Sequence, residues 1–591
     1  MDYSLIVDVY EKISSTTKRL EITDYLEELF KKTPKEIIDK VVYLTQGKLY
    51  PDYYGIELGI AEKLAIKAIA MAVGVSEKVV NDELQKLGDI GEVASYLTSK
   101  KKTQTKLFEF EGEKLTVEKV YETFDKIAKA TGEGSQDVKI KLLQSLLAHA
   151  NPAEAKYIVR MVTGKLRLGV ADMTILDGLA AAFCGSKDFR PELERAYNLT
   201  SDLGGVAKAV AEKGLEGIKE FKIVVGKPIR PMLAERLPSA EEILRKLGKC
   251  AAEYKYDGER IQAHKMSNGE VVLFSRRLEN ITHHYPDACE LIRNHVKASE
   301  AIVECEAVAI NLDTGEMMPF QELMHRRRKY DIEEAMKLYP ISLFMFDLLY
   351  VNGEDYTIKP YLERREKLRE VVEETDRTKI AKAIVTDNIK ELEKFFQEAV
   401  EEGCEGLMVK AITTDSIYKA GARGWLWIKY KRDYQALLTD TLDLVAVGAF
   451  YGRGRRAGTY GALLLAVYDD KNDVFKTICK CGSGFTDEDL ASMPEMFKDL
   501  IIPHRHARVY SEMEADVWFV PKIVLEVIGA EITLSPVHTA ARNVIREGSG
   551  LAIRFPRFTG KWRYDKAPED ATTEKEAIEM YQRQLKKIAE T

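Results

Sequence analysis

Eight consecutive residues, Glu253-Tyr254-Lys255-Tyr256-Asp257-Gly258-Glu259-Arg260, have the types and spacing that covalent chemistry on an amine needs. In an extended strand Glu253, Lys255 and Asp257 share one face, while Tyr254 and Tyr256 point the other way. Gly258 then permits a turn, and Arg260 returns a fixed positive charge. A lysine held among carboxylates and near further cations is how proteins make an amine nucleophile near neutral pH. The alternative is an edge-strand lysine in a surface ladder of ion pairs. Lys-x-Asp-Gly-x-Arg arises by chance in about one chain per hundred of this size, at average residue usage of roughly 5–7% each. The segment alone does not decide between the two.

The elements that must position this segment change character twice along the chain. The first 225 or so residues read as helical. From Val117 to Ala128 the apolar residues Val117, Val120, Tyr121, Phe124, Ile127 and Ala128 fall on one helix face, with Thr116 to cap the start and Gly132 the end. A second stretch, Val138 to Ala150, stops at Asn151-Pro152, and a third runs from Pro152 to Gly164. The prolines of Lys227-Pro228-Ile229-Arg230-Pro231 mark an extended crossing into a mixed α/β region. Its β-rich runs are Val271 to Phe274, Ala301 to Ile310 and Ile341 to Tyr350, and it reaches about Lys431. Beyond Leu442 strands dominate (442–450, 462–468, 475–479, 517–520 and 523–527), with Gly452-Arg453-Gly454 as one of several turns. Five or so short strands in that span predict a small barrel. A charged helix over about Thr573 to Ala589 comes last, and there is no internal repeat or low-complexity tract. The expected domains are therefore 1–225, 226–431 and 432–591.

Composition is compatible with this and adds little. A chain of 591 residues exceeds one compact core, and its 45% apolar and 31% charged content is that of a soluble globular protein. The excess of charge, mixed in sign, would suit a thermophile. No window approaches 18 uncharged apolar residues, so no membrane span is expected, and Met1-Asp2-Tyr3-Ser4 does not begin a secretory signal. Seven scattered cysteines suit a reducing cytoplasm; Cys479 and Cys481 form one Cys-x-Cys pair, poor support for zinc. The net charge of −7 does not announce a nucleic-acid binder, but affinity for phosphate depends on where positive charge sits.

The lysine segment rises above chance because six further motifs stand after it in a fixed order. Phe274-Ser275-Arg276-Arg277 is succeeded by Glu304-Cys305-Glu306-Ala307-Val308-Ala309, Phe344 to Tyr350, Glu405-Gly406-Leu407-Met408-Val409-Lys410, and Trp425 to Lys431. Arg554-Phe555-Pro556-Arg557-Phe558 with Arg563 to Lys566 completes the series. It resembles the nucleotidyltransferase motifs of ATP-dependent DNA ligases, closest to the archaeal and eukaryotic replicative type. The resemblance extends into the helical region through Thr163 to Val170. It implies an all-α N-terminal DNA-binding domain, an α+β nucleotidyltransferase (adenylation) domain and a C-terminal OB-fold barrel.

The resemblance also implies an activity: sealing nicks in duplex DNA in replication, repair and recombination, with ATP and Mg²⁺ as cofactors and a monomeric, cytoplasmic enzyme. Lys255 would attack the α-phosphorus of ATP, and AMP would pass to the 5′-phosphate of the nick. Attack by the 3′-hydroxyl would then expel AMP. Phosphoryl transfer depends mainly on positioning and on neutralising oxyanions, and Arg260, Arg276, Arg423, Lys429 and Lys431 fit that need. On a strand Lys429 and Lys431 share a face with Trp425 and Trp427, although a solvated basic strand has the same pattern. Glu306 and Glu405 resemble the acidic positions around ribose and metal. Glu304 is either a further such group or the partner of a nearby arginine. Phe346 would stack on adenine, with Phe344 on the same strand face, and the backbone around Glu253 would read the adenine edge. The segment 554–566 would swing over the nucleotide. Lys165, Arg167 and Gly169, where a helix ends in a basic turn, would contact DNA phosphates. Gln104 to Phe110 looks like a sliding-clamp peptide, and a small hairpin is the alternative. Capping guanylyltransferases and RNA ligases share the lysine core but not the long helical region, and NAD-dependent ligases carry a four-cysteine zinc module that is not seen here.

Overall fold

In the computed structural model the chain folds as two compact units, residues 1–80 with 94–431, and residues 81–93 with 432–591. The described residues are all but 105–113, 311–316, 319, 329–330, 402–403, 432–439, 453–455, 530, 536, 555 and 591, and the side chains of 102–104, 321, 328, 397, 400, 401, 533, 554 and 586–590. The Gln104–Phe110 peptide thus lies outside the described residues.

The helical region forms because short-range signals agree with its buried faces. Val117–Lys129 starts at Thr116, whose side chain accepts the Lys119 N–H, and buries Val117, Val120, Tyr121, Phe124 and Ile127. It ends at Ala130, two residues before the expected Gly132. Pro152–Val162 begins with a reciprocal capping box between Asn151 and Glu154, with proline at its first position, where no N–H is needed. After it, Gly164, Arg167 and Gly169 all have positive φ, and Leu166 and Leu168 are buried on either side of the exposed Arg167.

The crossing from helices to sheets is bonded on both sides. Asn198 O accepts the Arg230 N–H at 2.9 Å, and the Ser201 hydroxyl donates to Pro228 O at 2.6 Å. From the sheet side, the Gln262 side chain bonds both the N–H and the carbonyl of Ile229 at 2.8 Å, and His264 Nδ1 accepts the Gly226 N–H at 2.9 Å. Burial lowers the His264 imidazole to about 3, so it stays a neutral acceptor here.

Two sheets build the α/β region. We number its strands β1 (Leu233–Arg236), β2 (Cys250–Lys255), β3 (Glu259–Lys265), β4 (Val271–Ser275), β5 (Ala301–Ala309), β6 (Ile341–Val351), β7 (Glu354–Asp355), β8 (Thr378–Ile380), β9 (Ala383–Thr386), β10 (Gly406–Ala411) and β11 (Arg423–Lys431). One sheet runs β1-β11-β10-β2-β9, the other β4-β3-β5-β6-β7 with β8 beside β6. β2 ends at Lys255, so Asp257 lies beyond the strand instead of alternating along it. Gly258 is required because the chain presses on β5: a Cβ there would stand 2.2 Å from Ala307 O. Each sheet buries its own apolar cluster, one around Ile261, Val303 and Met345, the other around Tyr254, Leu407 and Ile428.

The C-terminal unit is β-rich, as expected. Its strand Leu442–Tyr451 pairs with Tyr460–Asp469, Val517–Phe519 and Val524–Ile528, and Val524–Ile528 continues to Arg557–Trp562. The helix Glu574–Glu590 matches the expected terminal helix. Cys479 and Cys481 are buried in this unit's apolar core. Among the described residues no group of three or more His, Cys, Asp or Glu gathers as a metal cage.

Candidate active site

Lys255 sits where β2 runs out, at a cavity of about 400 Å³ walled by both sheets. Eight basic side chains (Arg236, Lys255, Arg260, Arg276, Lys410, Arg423, Lys429 and Lys431) face five carboxylates (Glu253, Asp257, Glu259, Glu306 and Glu405), a formal excess of three positive charges. Every nucleotide-contact and metal candidate named from the sequence lines this cavity: Lys255, Glu253, Arg260, Arg276, Glu306, Phe346, Glu405, Arg423, Lys429 and Lys431. Sequence reasoning missed Arg236, Met232 and Phe320, which lie outside the motif spellings, and gave no role to Lys410, the last residue of one of them.

The carboxylate that holds Lys255 is neither of its neighbours in the strand. Lys255 Nζ donates to Glu405, which also pairs with Lys431 at 2.9 Å. Burial alone would raise the Glu405 carboxyl, but Lys255 and Lys431 hold it well below the usual carboxylate range. Asp257 is raised by burial and then by Glu405, and its Oδ2 accepts the Phe320 N–H at 3.2 Å. Gly406 comes directly after Glu405 with φ +141°, and a Cβ there would meet Tyr430 O at 2.2 Å, so only glycine lets β10 lie this close to β11.

Glu253, at the cavity wall, is buried and held by three side chains. Tyr361 donates to it, Arg365 donates at 2.9 Å and Lys410 pairs with it at 2.8 Å. Glu304 is the partner of an arginine: Arg260 Nε and Nη2 reach its two oxygens at 2.8 and 3.1 Å, and Tyr418 also donates to it. The Arg260 guanidinium then bonds Met232 O at 2.9 Å and lies over Phe346 and Trp427 at 5.5 and 5.6 Å.

The two phenylalanines of β6 part company. Phe346 faces the cavity, whereas Phe344 stacks on Tyr256 at 3.9 Å, in the core. The two tryptophans of β11 also separate. The register of β1 against β11 jumps from Gly424 to Ile428, and Trp427 faces the cavity while Trp425 is 42% exposed under Lys246. Lys429 is buried among cations: burial, then Arg276, Lys255 and Arg236, lower its ammonium to about 8. Arg276 is lowered by burial and by Arg260 and Arg423. Enclosure pushes the Glu306 carboxyl up to about 8, with Glu405 adding to the effect and Lys255 and Arg260 opposing it.

Of the candidate DNA contacts, Lys165 is bonded to Glu62, whereas Arg167 is exposed at the tip of its turn. In the C-terminal unit Arg563 and Lys566 are both tied to Asp443, at 3.1 and 2.7 Å.

A lysine amine at the end of a strand thus faces surplus positive charge and one aromatic wall. Residues 231–431 match the family model of the ATP dependent DNA ligase domain, 2–180 that of the DNA ligase N terminus, and 456–566 that of the ATP dependent DNA ligase C terminal region. The chain is 60% identical to DNA ligase 2 of Thermofilum pendens, covering 99% of this chain and 98% of that one, and 55% identical to the DNA ligase of Staphylothermus marinus over the full length of both. The solved structure Pmar-Lig_Pre shares the fold at 16% identity, with a TM-score of 0.55 over 94% of this chain and 99% of that one. The chain belongs to the ATP-dependent DNA ligase family.

Proposed function

We propose that this ATP-dependent DNA ligase forms its covalent intermediate on Lys255. The amine attacks the α-phosphorus of ATP, an N–P bond forms, and pyrophosphate leaves. The 5′-phosphate of a nick then takes AMP from the lysine, and the 3′-hydroxyl displaces AMP to close the strand. Splitting one displacement into several is what a covalent intermediate contributes. The observation that carries this reading is Lys255 at a cavity with three surplus positive charges. Arg276, Arg423, Lys429 and Lys431 would meet the triphosphate, Phe346 would stack on adenine, and Arg260, fixed by Glu304, would hold the ribose side.

The family uses Mg²⁺, and the donor chemistry here fits it. Glu306 and Glu405 are hard oxygen donors facing one cavity, and Glu306 is enclosed so tightly that a nearby cation would favour its ionised form. Two carboxylates without a preformed cage suit an ion that keeps its waters and takes phosphate oxygens. When bound, it neutralises charge on the transferring phosphoryl group.

Nicked duplex DNA is the family's substrate, and Arg167 is the residue of the 165–169 turn best exposed to reach it. Segment 554–566 would have to leave Asp443 to serve the nucleotide. Clamp binding through Gln104 to Phe110, a monomeric state and a cytoplasmic location complete the reading; among the described residues no helix is long and apolar enough to cross a membrane. The test is incubation with α-labelled ATP, GTP or NAD, then denaturing electrophoresis and chase with nicked DNA. Label from ATP that survives denaturation and chases into sealed product is expected. Label from GTP or NAD alone would refute the reading.

A further inference from the structure

The cations of the cavity fall into two groups. Four are paired where they stand: Lys255 and Lys431 with Glu405, Arg260 with Glu304, and Lys410 with Glu253. The other four, Arg236, Arg276, Arg423 and Lys429, line the same cavity and have no ion-pair partner among the described residues. Like charges gathered without a counter-charge raise the free energy of the cluster, and an anion that joins them relieves it. The effect is visible on Lys429, whose ammonium is lowered by burial and then by Arg276, Lys255 and Arg236. The surplus positive charge of the cavity is therefore concentrated in this second group. Arg276, Arg423 and Lys429 stand in or next to the motif segments, whereas Arg236 belongs to none of them and has no part in the reaction so described.

The sheet places Arg236 at a definite remove from the nucleophile. In the order β1-β11-β10-β2, Arg236 and Lys255 lie on strands with two others between them, so their backbones are roughly 14 Å apart at a strand spacing of about 4.8 Å. Lys429, the register partner of Arg236, lies on β11 between them. Arg236 is the last residue of β1 and is exposed. Side chains as long as lysine and arginine, reaching in from β2 and β1, leave room between them for a chain of phosphates, and Lys429 stands along it. Most of the negative charge of ATP is on its β- and γ-phosphates, and all of that departs as pyrophosphate. AMP on the lysine keeps a single phosphoryl group.

We propose that Arg236 is a binding residue for the leaving group, gripping the β- and γ-phosphates of ATP during self-adenylation and letting go with pyrophosphate. As the N–P bond forms, the Pα–O bond breaks and its electron pair goes out on the pyrophosphate oxygen. A planar guanidinium meets charge developing there with paired donors. The α-phosphoryl group that stays behind stands at Lys255, on the far side of Lys429 from Arg236. Arg236 therefore serves the first step and its reversal by pyrophosphate, not the later steps on DNA. This inference rests on the reading that Lys255 is charged from ATP.

The test compares the full chain with Arg236→Gln in equilibrium binding of α,β-methylene ATP and of AMP, in self-adenylation, and in sealing of a nick that already carries AMP on its 5′-phosphate. Affinity for α,β-methylene ATP and kcat/KM for self-adenylation should each fall roughly ten- to hundredfold, as one contact between charged groups is lost. Discharge of lysyl-AMP by pyrophosphate should fall by a similar factor. Binding of AMP and sealing of the pre-adenylated nick should keep their values. The pH at which affinity for α,β-methylene ATP declines should also move upward, because one of the cations that loosen the Lys429 proton is gone. Equal losses for AMP and α,β-methylene ATP, an equal loss in sealing of the pre-adenylated nick, or no loss in any assay would overturn the inference. Absence of any lysyl adduct from ATP in the unaltered chain instead refutes the functional reading beneath it. Should Arg236→Gln fail to fold, Arg236→Lys, which keeps the charge but not the paired donors, decides by the same pattern with smaller losses.

Discussion

Removing Glu304 while keeping Arg260 isolates the charge that organises the cavity floor. Glu304 and Arg260 have side-chain exposures of 1% and 16%, and their closest N–O distance is 2.8 Å. At an effective dielectric of about 20, two unit charges at that distance attract by about 6 kcal/mol. Burying both charges costs several kcal/mol each, so the pair as a whole contributes little net stability. Breaking it is another matter. In Glu304→Met the guanidinium keeps, among the described residues, Met232 O and the Tyr418 hydroxyl, at 2.9 and 3.3 Å, and no ion-pair partner. An uncompensated buried charge of this kind destabilises by about 3–5 kcal/mol. The double variant Arg260→Met/Glu304→Met removes both charges and should lie within about 1 kcal/mol of the unaltered chain. Denaturant unfolding followed by tryptophan fluorescence measures this, since Trp425 and Trp427 report on this unit. The two compact units require its transition to be fitted separately. Self-adenylation should fall in both variants, because Arg260 loses its anchored position in one and is absent from the other. A Glu304→Met cost below about 1 kcal/mol, or a double variant as unstable as the sum of the singles, would refute the reasoning.

The remaining predictions concern charge and domains. As pH rises through about 8, Lys429 loses its proton in the nucleotide-free enzyme, so affinity for the unreactive α,β-methylene ATP should fall there. The decline should be absent in Lys429→Arg; equal pH dependence in both, by equilibrium binding, would assign it elsewhere. The unfolded chain keeps that proton up to about 10.5, so this residue makes the native state gain stability as pH rises across that window. Arg167→Glu should weaken nicked-DNA binding by anisotropy and lower the salt slope by about 1, while ATP charging is unchanged. Deleting residues 1–225 should spare self-adenylation and abolish sealing, whereas ending the chain at 431 should slow self-adenylation itself, both read by labelled ATP and a nicked duplex.

Local signals made much of this legible in the sequence. Thr116, Asn151 and Pro152 announce helix starts, and the runs at 271, 301 and 341 are long enough to show strands. The site was legible as a set of residues because a family spelling carried it, but its wiring was not. Lys255 pairs with Glu405, 150 residues away, where strand alternation pointed to Glu253 and Asp257. Arg364 and Arg365 belong to the charged helix Tyr361–Val371, whose spelling is that of a solvated face, yet they are buried against Asp347 and Glu253. Phe344 and Phe346 share a strand face by count, but the pairing of β6 with β5 shifts register at Phe346, between Asp347 and Met345, and Phe344 stacks on Tyr256. Short strands such as Ile501–Ile502 and Val509–Tyr510 are two residues long, too brief to leave any period.

Peptide mapping by mass spectrometry after incubation with ATP and Mg²⁺ tests the role of Lys255 most directly. A single AMP adduct is expected on Lys255, held as an acid-labile phosphoramidate, absent from Lys255→Ala and discharged by nicked DNA. An adduct on any other lysine, or sealing of nicks by Lys255→Ala from ATP, would contradict it.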